Sequence, residues 1–413
     1  MNRLLLVTAA SLAAMATSMT AAEAQTNLVF AYWGDPAELP PFEEIVSTYK
    51  AEHPDIDITV QHAPWSGYFT RLDTQLAARA GPDVFFITNV PSYAARGQLE
   101  ALDQWIADSG FPIDLYNQEG LKSHSYEGQL YSIPRDSAPI ALYYNSDAFD
   151  EAGIDYPDES WDWNALREAA LQLTQRDGGR IARYGLVMES NDWPIWVRQN
   201  GGSDFDDSFA PTEYLLGEPE AVEAIQFIGD LINEDQVMPS FQESAQSGGT
   251  TQLFVSGQAA MAITNAARLG TFAEAPFEWA VAPLPTGPDG TRVNRIGGAG
   301  FGMNAFSQNK EAAWDFLSYL AGEEGQVIFA SAKAAAVPAM TGSETVREAF
   351  TAPFAEVFVA ESEHGVSLPQ FDGYVDVTNL YIQPALDLVW SGEATAEEAL
   401  TAIAGDVNAR LAQ

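Results

Sequence analysis

From Leu28 onward the chain switches between two hydrophobic periods. "LVFAYW" (28–33) is a short apolar run that stops at Gly34, the pattern of a buried strand. "PPFEEIVSTYKAEHP" follows, with Phe42, Ile45, Val46 and Tyr49 at helical spacing behind a proline start. "ITVQHA" (58–63) alternates as a strand, and "YFTRLDTQLAARAG" sets Phe69, Leu72 and Leu76 on one side of a helix. "DVFFIT" (83–88) is a third buried strand, and "VPSYAARGQ" a short helix after it. Strands separated by crossover helices predict a parallel sheet covered on both faces. Ligands of such sheets sit beyond the carboxyl ends of the strands. Here those ends are Trp33-Gly34-Asp35, Ala63-Pro64-Trp65 and Thr88-Asn89, all with aromatic or hydrogen-bonding residues.

The middle of the chain, about 140–280, reads as more helical, with "SWDWNALREAALQLTQRDGG" and "PEAVEAIQFIGDLINEDQ" as its two longest helices. "FVSGQAAMAITN" predicts a glycine turn and a strand ending at Asn265. Glycine and proline in "APLPTGPDG" (282–290) and "GGAGFG" (297–302) punctuate a return of the chain. "NKEAAWDFLSYLAGEEGQVIFA" predicts an amphipathic helix pair, and "YIQPALDLVWSG" and "TAEEALTAIAGDVNARL" two more helices near the end. No tandem repeat or low-complexity segment interrupts this order.

The first 24 residues break the alternation. Arg3, an apolar run from Leu4 to Ala16 and the small-x-small triplet Ala22-Glu23-Ala24 predict a secretory signal peptide. The run is too short for a good membrane anchor. The chain has no cysteine. That excludes disulfides, thiol catalysis and the lipidated cysteine of a lipoprotein, and fits export to a bacterial periplasm. At 46% hydrophobic, with ten Trp, fifteen Tyr and 22 Phe, the remainder has enough apolar mass for two or three domains. The net charge of −39 comes from scattered single acids, as in "DAFDEAGIDYPDES". It serves either as a solubilising surface for salty surroundings or as an attraction for cationic ligands. In both cases its field opposes nucleic acids and anionic membranes.

Several segments together resemble one family. They are "GPDVFFI" with "GQLEALDQWI", then "YEGQLYSIPRDSAPIALYYNSDAFDEAGI" leading into "SWDWNALREAA". Further on come "FVSGQAAMAI", "VAPLPTGPDG", "GGAGFGMNAFSQNKEAAWDFLSYLAGEEGQ" and "SGEATAEEALTAIAGDVNARL". Their order and spacing are similar to those of the bacterial extracellular solute-binding proteins of sugar ABC transporters, the group related to maltose- and glycerol-phosphate-binding proteins. The resemblance implies the type II periplasmic binding protein fold: two α/β lobes joined by crossing strands, with ligand in the cleft between them. The lobes would be 25–137 plus 297–340, and 138–296 plus 341–413. It further implies hinge closure on the ligand, a membrane permease as partner, no cofactor, no catalysis and a monomeric chain. The sugar itself is not encoded in these segments.

A sugar presents C–H faces and a rim of hydroxyls, so its site needs flat aromatics and fixed polar groups. A micromolar complex needs only about −8 kcal/mol. Trp33 and Asp35, Trp65 and Tyr68, and Thr88 and Asn89 are the first-lobe candidates, each with a bland alternative in core packing or helix capping. Arg135 and Asp136 in "IPRDSAPI" serve either as hydroxyl ligands or as an ion pair holding the hinge. Asn265 and Arg268 follow the strand "AMAIT"; the family often has aromatics there, so "NAARL" departs from it and points to polar readout. Gly298 would let backbone approach the ligand. Phe371 and Tyr374 in "QFDGYVD" are late aromatic candidates. In "ESNDWPIWVRQNGG" (189–202) a short helix is expected, capped by Asn191 or Asp192 and closed by glycines. Trp193 in its first turn is the favoured stacking platform, and Trp196 is divided between packing and ligand contact.

Three other patterns carry less. The pair Tyr143-Tyr144 would bury one ring by alternation and is no metal site. His53, His62, His124 and His364 have no ligand spacing. "GGAGFG" lacks the strand–helix setting of a phosphate loop. Two rival functions remain beside a sugar receptor. One is the same fold with a charged solute, a sugar phosphate, sulfonate, uronate or polyamine. The other is a secreted polysaccharide-active enzyme, which requires two carboxylates facing across a cleft.

Overall fold

The computed structural model describes residues 25–34, 39–332 and 336–413. Its strands are, in chain order, β1 (Thr26–Trp33), β2 (Ile56–Ala63), β3 (Val84–Ile87), β4 (Ser125–Tyr126), β5 (Gln129–Leu130), β6 (Ser132–Pro134), β7 (Asp136–Ser137) and β8 (Ile140–Asn145). They continue with β9 (Gln175–Asp177), β10 (Arg180–Met188), β11 (Ala259–Asn265), β12 (Trp279–Ala282), β13 (Asn294–Ile296), β14 (Gly300–Met303), β15 (Val337–Pro338) and β16 (Gly365–Ser367). Two five-stranded sheets result, ordered β2-β1-β3-β14-β6 and β12-β8-β11-β10-β9. Each is the centre of one lobe of a two-lobed type II α/β fold.

The predicted helices pack as their periodicity requires. Helix Leu39–Glu52 buries Phe42, Ile45, Val46 and Tyr49. Helix Trp65–Ala77 buries Tyr68, Leu72 and Leu76. In the second lobe, helix Pro219–Asn233 turns Ala224, Ile225, Ile228 and Leu231 inward. Two cores form: one centred on Phe30, Phe85, Phe86 and Phe316, the other on Leu142, Leu186, Ile228 and Leu386. Helix Glu344–Ala349 packs on helix Glu323–Ser331 of the first lobe.

The expectation of a parallel sheet holds for β1, β2 and β3 but not for the whole. β14 runs antiparallel to both β3 and β6, because it enters from the second lobe and crosses the sheet in the opposite direction. The second sheet is mixed as well, with only β10 and β11 parallel. "GGAGFG", read above as a turn in the return, supplies the first three residues of this buried strand. Glycine is needed at Gly300 because a Cβ there would lie 2.5 Å from Nδ1 of His124.

Three short pairings lie outside the two sheets: β7 with β15, β13 with β16, and β4 with β5. Asn294 in β13 acts as a backbone mimic: its amide donates to Ile140 O at 2.7 Å and its oxygen accepts from Ile140 N at 2.9 Å. The same amide donates to buried Glu361 at 2.6 Å, which also holds Arg292 at 2.8 Å.

Candidate functional site

Strand register decides which residues face the cleft. In the first lobe β1, β2 and β3 end together at Trp33, Ala63 and Ile87. β14 begins at the same edge, with Gly300 opposite Ile87, and β6 ends there with Pro134 opposite Gly300. Trp33, Trp65, Thr88, Asn89, Arg135, Asp136 and Gly298 therefore share one edge. In the second lobe β10 and β11 end at Met188 and Asn265, and β8 starts opposite Asn265 at Ile140. Residues 135–140 join these two edges, so they face one another across the hinge.

On the first-lobe edge Trp65 is 57% exposed and sets its edge against Trp33 at 5.1 Å. Trp33 is held in turn by Tyr68 and Phe86 at 5.1 and 5.2 Å. Trp65 thus offers a fixed, wetted aromatic face. Tyr68 does not. It is buried, and its hydroxyl lies 3.1 Å from Ala31 O and 2.9 Å from Phe86 O, so it ties β1 to β3 instead of meeting a ligand. Asp35 lies outside the described residues. Thr88 is half-buried. Asn89 sits in the left-handed region at φ 52. It makes no side-chain cap, and its buried Oδ1 has no hydrogen-bond partner. It thus combines a left-handed backbone with a buried acceptor that no described group satisfies.

The hinge resolves the choice over Arg135. Its guanidinium bonds both carboxylate oxygens of Asp136, at 3.2 and 2.8 Å. It lies 4.8 Å from the Phe86 ring centre and 5.5 Å from that of Phe329. Asp136 Oδ1 also accepts from Ala299 N at 2.9 Å. This is a desolvated ion pair clamped between aromatic faces, not a free pair of hydroxyl ligands. Gly298 has the matching explanation: a Cβ there would stand 2.5 Å from Asp136 Oδ1. Its closeness serves the ion pair and not the ligand.

The second-lobe edge is more polar. Asn265 caps the following turn by accepting from Ala267 N at 3.0 Å, and its carbonyl takes the Tyr143 hydroxyl at 2.9 Å. Arg268 is half-buried and its Nε has no partner. Helix Trp193–Gln199 is present as expected, but both tryptophans belong to the lobe core, 4% and 2% exposed. Trp196 lies 5.1 Å from Trp163 and 5.7 Å from Phe227. The favoured platform is therefore covered, because this short helix turns its apolar side into the second core. Asp192 holds the N-cap position without capping. Its carboxylate is fully buried and instead meets Arg295 Nη1 at 2.8 Å. Arg295 lies on β13 and also donates to Ala138 O at 3.0 Å. Burial pushes the Asp192 carboxyl up to about 6, against the pull of Arg295 and with a further push from Glu189. Sequence reading passed over Arg295; its signal was a lone arginine inside the hinge segment "VNRIGG".

A cavity of about 930 Å³ opens between the lobes. Pro91, two residues beyond Asn89, and Tyr126 line it from the first lobe, and Phe209, Phe371 and Arg410 from the second. Phe371 is held edge-on by Phe205 at 5.3 Å and Tyr374 at 5.4 Å. Tyr374 supports Phe371 from behind, its phenol pushed up to about 12 by burial and then by Asp204. Phe209, Tyr126 and the loops that carry them were not among the sequence candidates. They lie between predicted elements, where periodicity is silent. No group of metal-binding side chains occurs among the described residues.

Known proteins with this arrangement are numerous. The bacterial extracellular solute-binding protein family matches residues 33–327. A maltotriose-binding protein of Pyrococcus abyssi is 25% identical over 69% of this chain and 60% of its own. An arabinooligosaccharide-binding protein of Halalkalibacterium halodurans is 27% identical over 72% of this chain and 67% of its own. Among solved structures, an ABC substrate-binding protein of Listeria monocytogenes in complex with cycloalternan superposes with a TM-score of 0.84. It is 26% identical and covers 94% of this chain and 99% of its own. The family match spans well over half of the sequence and both sheets of the fold: the chain belongs to the bacterial extracellular solute-binding proteins.

Proposed function

We propose that this protein is the periplasmic receptor of an ABC importer and captures a sugar between its lobes. The observation that carries the reading is the cleft itself: exposed Trp65 and unsatisfied Asn89 on one edge, and a cavity lined from both lobes beside them. The relatives named above, which bind maltotriose, arabinooligosaccharide and cycloalternan, support a carbohydrate. The lobes are 25–137 plus 297–340 and 138–296 plus 341–413, with helix Glu344–Ala349 riding on the first. The leader is removed near Ala24. The mature chain works as a monomer, performs no catalysis, and hands its sugar to the transmembrane subunits of the permease. No helix of the described residues is long and apolar enough to cross a membrane.

An anionic solute is the weaker reading. Asp136 already neutralises Arg135, and the net charge of −39 repels anions. A thermal-shift panel of mono-, di- and oligosaccharides, with phosphates, metals and polyamines beside them, tests the proposal. A true ligand at a hundred times its Kd stabilises the chain by about 2.7 kcal/mol. A shift with a polyamine, metal or phosphate and none with any sugar would refute the carbohydrate reading. Release of new reducing ends from a polysaccharide would refute the absence of catalysis.

A further inference from the structure

Two segments of chain run side by side from one sheet to the other. Residues 135–139 lead from β6 of the first sheet to β8 of the second, and residues 283–299 return from β12 of the second to β14 of the first. Arg135 N donates to Ala299 O at 2.8 Å, and Ala138 N to Gly297 O at 3.0 Å. An ion pair closes each end of this ribbon. At the first-lobe end Asp136, held by Arg135, accepts from Ala299 N. At the second-lobe end Arg295 donates to Ala138 O at 3.0 Å and meets Asp192 at 2.8 Å. Arg295 therefore ties both segments to the start of helix Trp193–Gln199.

Between the two pairs the backbone has few commitments. Gly297 takes φ 136, which L side chains rarely adopt, and a Cβ there would meet only Ser123 Oγ, at 3.9 Å. Pro139 carries no N–H, and the buried Ser137 hydroxyl has no hydrogen-bond partner among the described residues. Hinges are a few such residues that absorb the change in φ and ψ.

Asp192 sets the strength of the second-lobe end. The charged groups acting on it are Arg295 from β13 and Glu189 from the segment after β10. Uncharged Thr264 of β11 donates to Glu189 at 3.4 Å. Burial and Glu189 push the Asp192 carboxyl up to about 6, and Arg295 pulls it down. A conformer in which Arg295 has swung away loses that pull, so its carboxyl binds a proton more tightly. Its share grows as pH falls through about 6.

We propose that Arg295 is a positioning residue for lobe closure: by holding Asp192 and Ala138 at once it confines the pivot to Gly297–Gly298 and the chain beside them, and protonation of Asp192 loosens that pivot. This device belongs to the hinge and is independent of which solute the cleft takes. Any solute that closure retains is then held less firmly in acid.

Spin labels on the mature chain test it. The chain has no cysteine, so Glu44→Cys in the first lobe and Glu168→Cys in the second, both at exposed helix positions, take labels at those sites alone. Double electron–electron resonance then reads the interlobe distance distribution with no ligand present. Between about pH 7.5 and about pH 5 the wild-type distribution broadens roughly twofold, with a midpoint near 6. Asp192→Asn offers Arg295 no charge and is broad at both pH values; Arg295→Met is broad at both as well. A wild-type distribution that ignores pH overturns the proposal without any variant having to fold. So does an Asp192→Asn chain as narrow as the wild type at pH 7.5, or one that broadens in acid as the wild type does, since the titrating group then lies elsewhere. A purely structural pair would lower stability in these variants without giving the wild-type distance a pH profile.

Discussion

Two buried titratable residues put opposite slopes on the acid stability of this chain. The His124 imidazole is buried against Ser132 at 2.6 Å, and burial pushes it down to about 4. The unfolded chain takes up that proton first, so stability is lost as pH falls from about 6.5 towards 4. Asp192 is pushed up to about 6, so the folded chain takes up its proton first, and stability is gained as pH falls from about 6 towards 4. In the wild type the two offset each other. Asp192→Asn removes the gain, and urea titrations of that variant will show a steeper loss below pH 6 than the wild type; an unchanged slope would contradict the raised carboxyl. The tryptophans divide in a similar way. Trp196→Ala opens the packing against Trp163 and Phe227 and will cost about 3–5 kcal/mol of unfolding free energy. Trp65→Ala removes a ring that is 57% exposed. It will leave the melting temperature near its wild-type value while weakening sugar binding by on the order of tenfold, the worth of one stacked ring.

At the scale of elements, the hinge depends on one missing side chain. Gly298→Ala drives a methyl into the Asp136 carboxylate and carbonyl, at 2.5 and 2.7 Å, and leaves Arg135 uncompensated among aromatic rings. A loss of about 3–5 kcal/mol follows from breaking a buried pair. Gly67→Ala, in helix Trp65–Ala77 with nothing within 4 Å of the new atom, gains about 0.5–1 kcal/mol instead, so the two variants together separate clash from glycine loss. Most elements were legible because their apolar residues recur at 3.6 or 2. Phe42 to Tyr49 and Ala221 to Ile232 needed no tertiary knowledge. β14 was not legible. Its glycines read as turns, and only the His124 ring beneath Gly300 shows why a buried strand lacks side chains. The proposed site is legible in part at strand ends, since chain direction alone puts Trp65 and Asn89 at the carboxyl edge of the first sheet. The rotation of a short helix was not, and so Trp193 was placed at the surface when its ring turns inward. The cavity loops were invisible for a third reason: Phe209 and Tyr126 line one cavity only when two lobes meet.

For the whole molecule, charge is the dominant quantity. Only nineteen Lys and Arg face 58 Asp and Glu, and three of those cations are committed at the hinge, to Asp136, Glu361 and Asp192. The rest of the surface repels itself. Sodium chloride raised from about 10 mM to about 500 mM shortens the screening length from roughly 30 Å to under about 8 Å. The ligand-free melting temperature will rise over that range, and a fall would mean that attractive pairs outweigh the repulsion. The hinge pairs, shielded from solvent, contribute little to this salt response.

The exposed position of Trp65 also gives the proposed cleft an optical signal of its own. Of ten indoles, it is the one with more than a third of its surface in water. Long-wavelength emission and access to a quencher are therefore dominated by a single ring at the mouth of the cleft. Acrylamide, being neutral, reaches that ring without the repulsion that an acidic surface exerts on iodide. A sugar stacked on Trp65, as proposed, will shift the emission to the blue and block the quencher; an emission unchanged by a sugar that binds would remove Trp65 from the site.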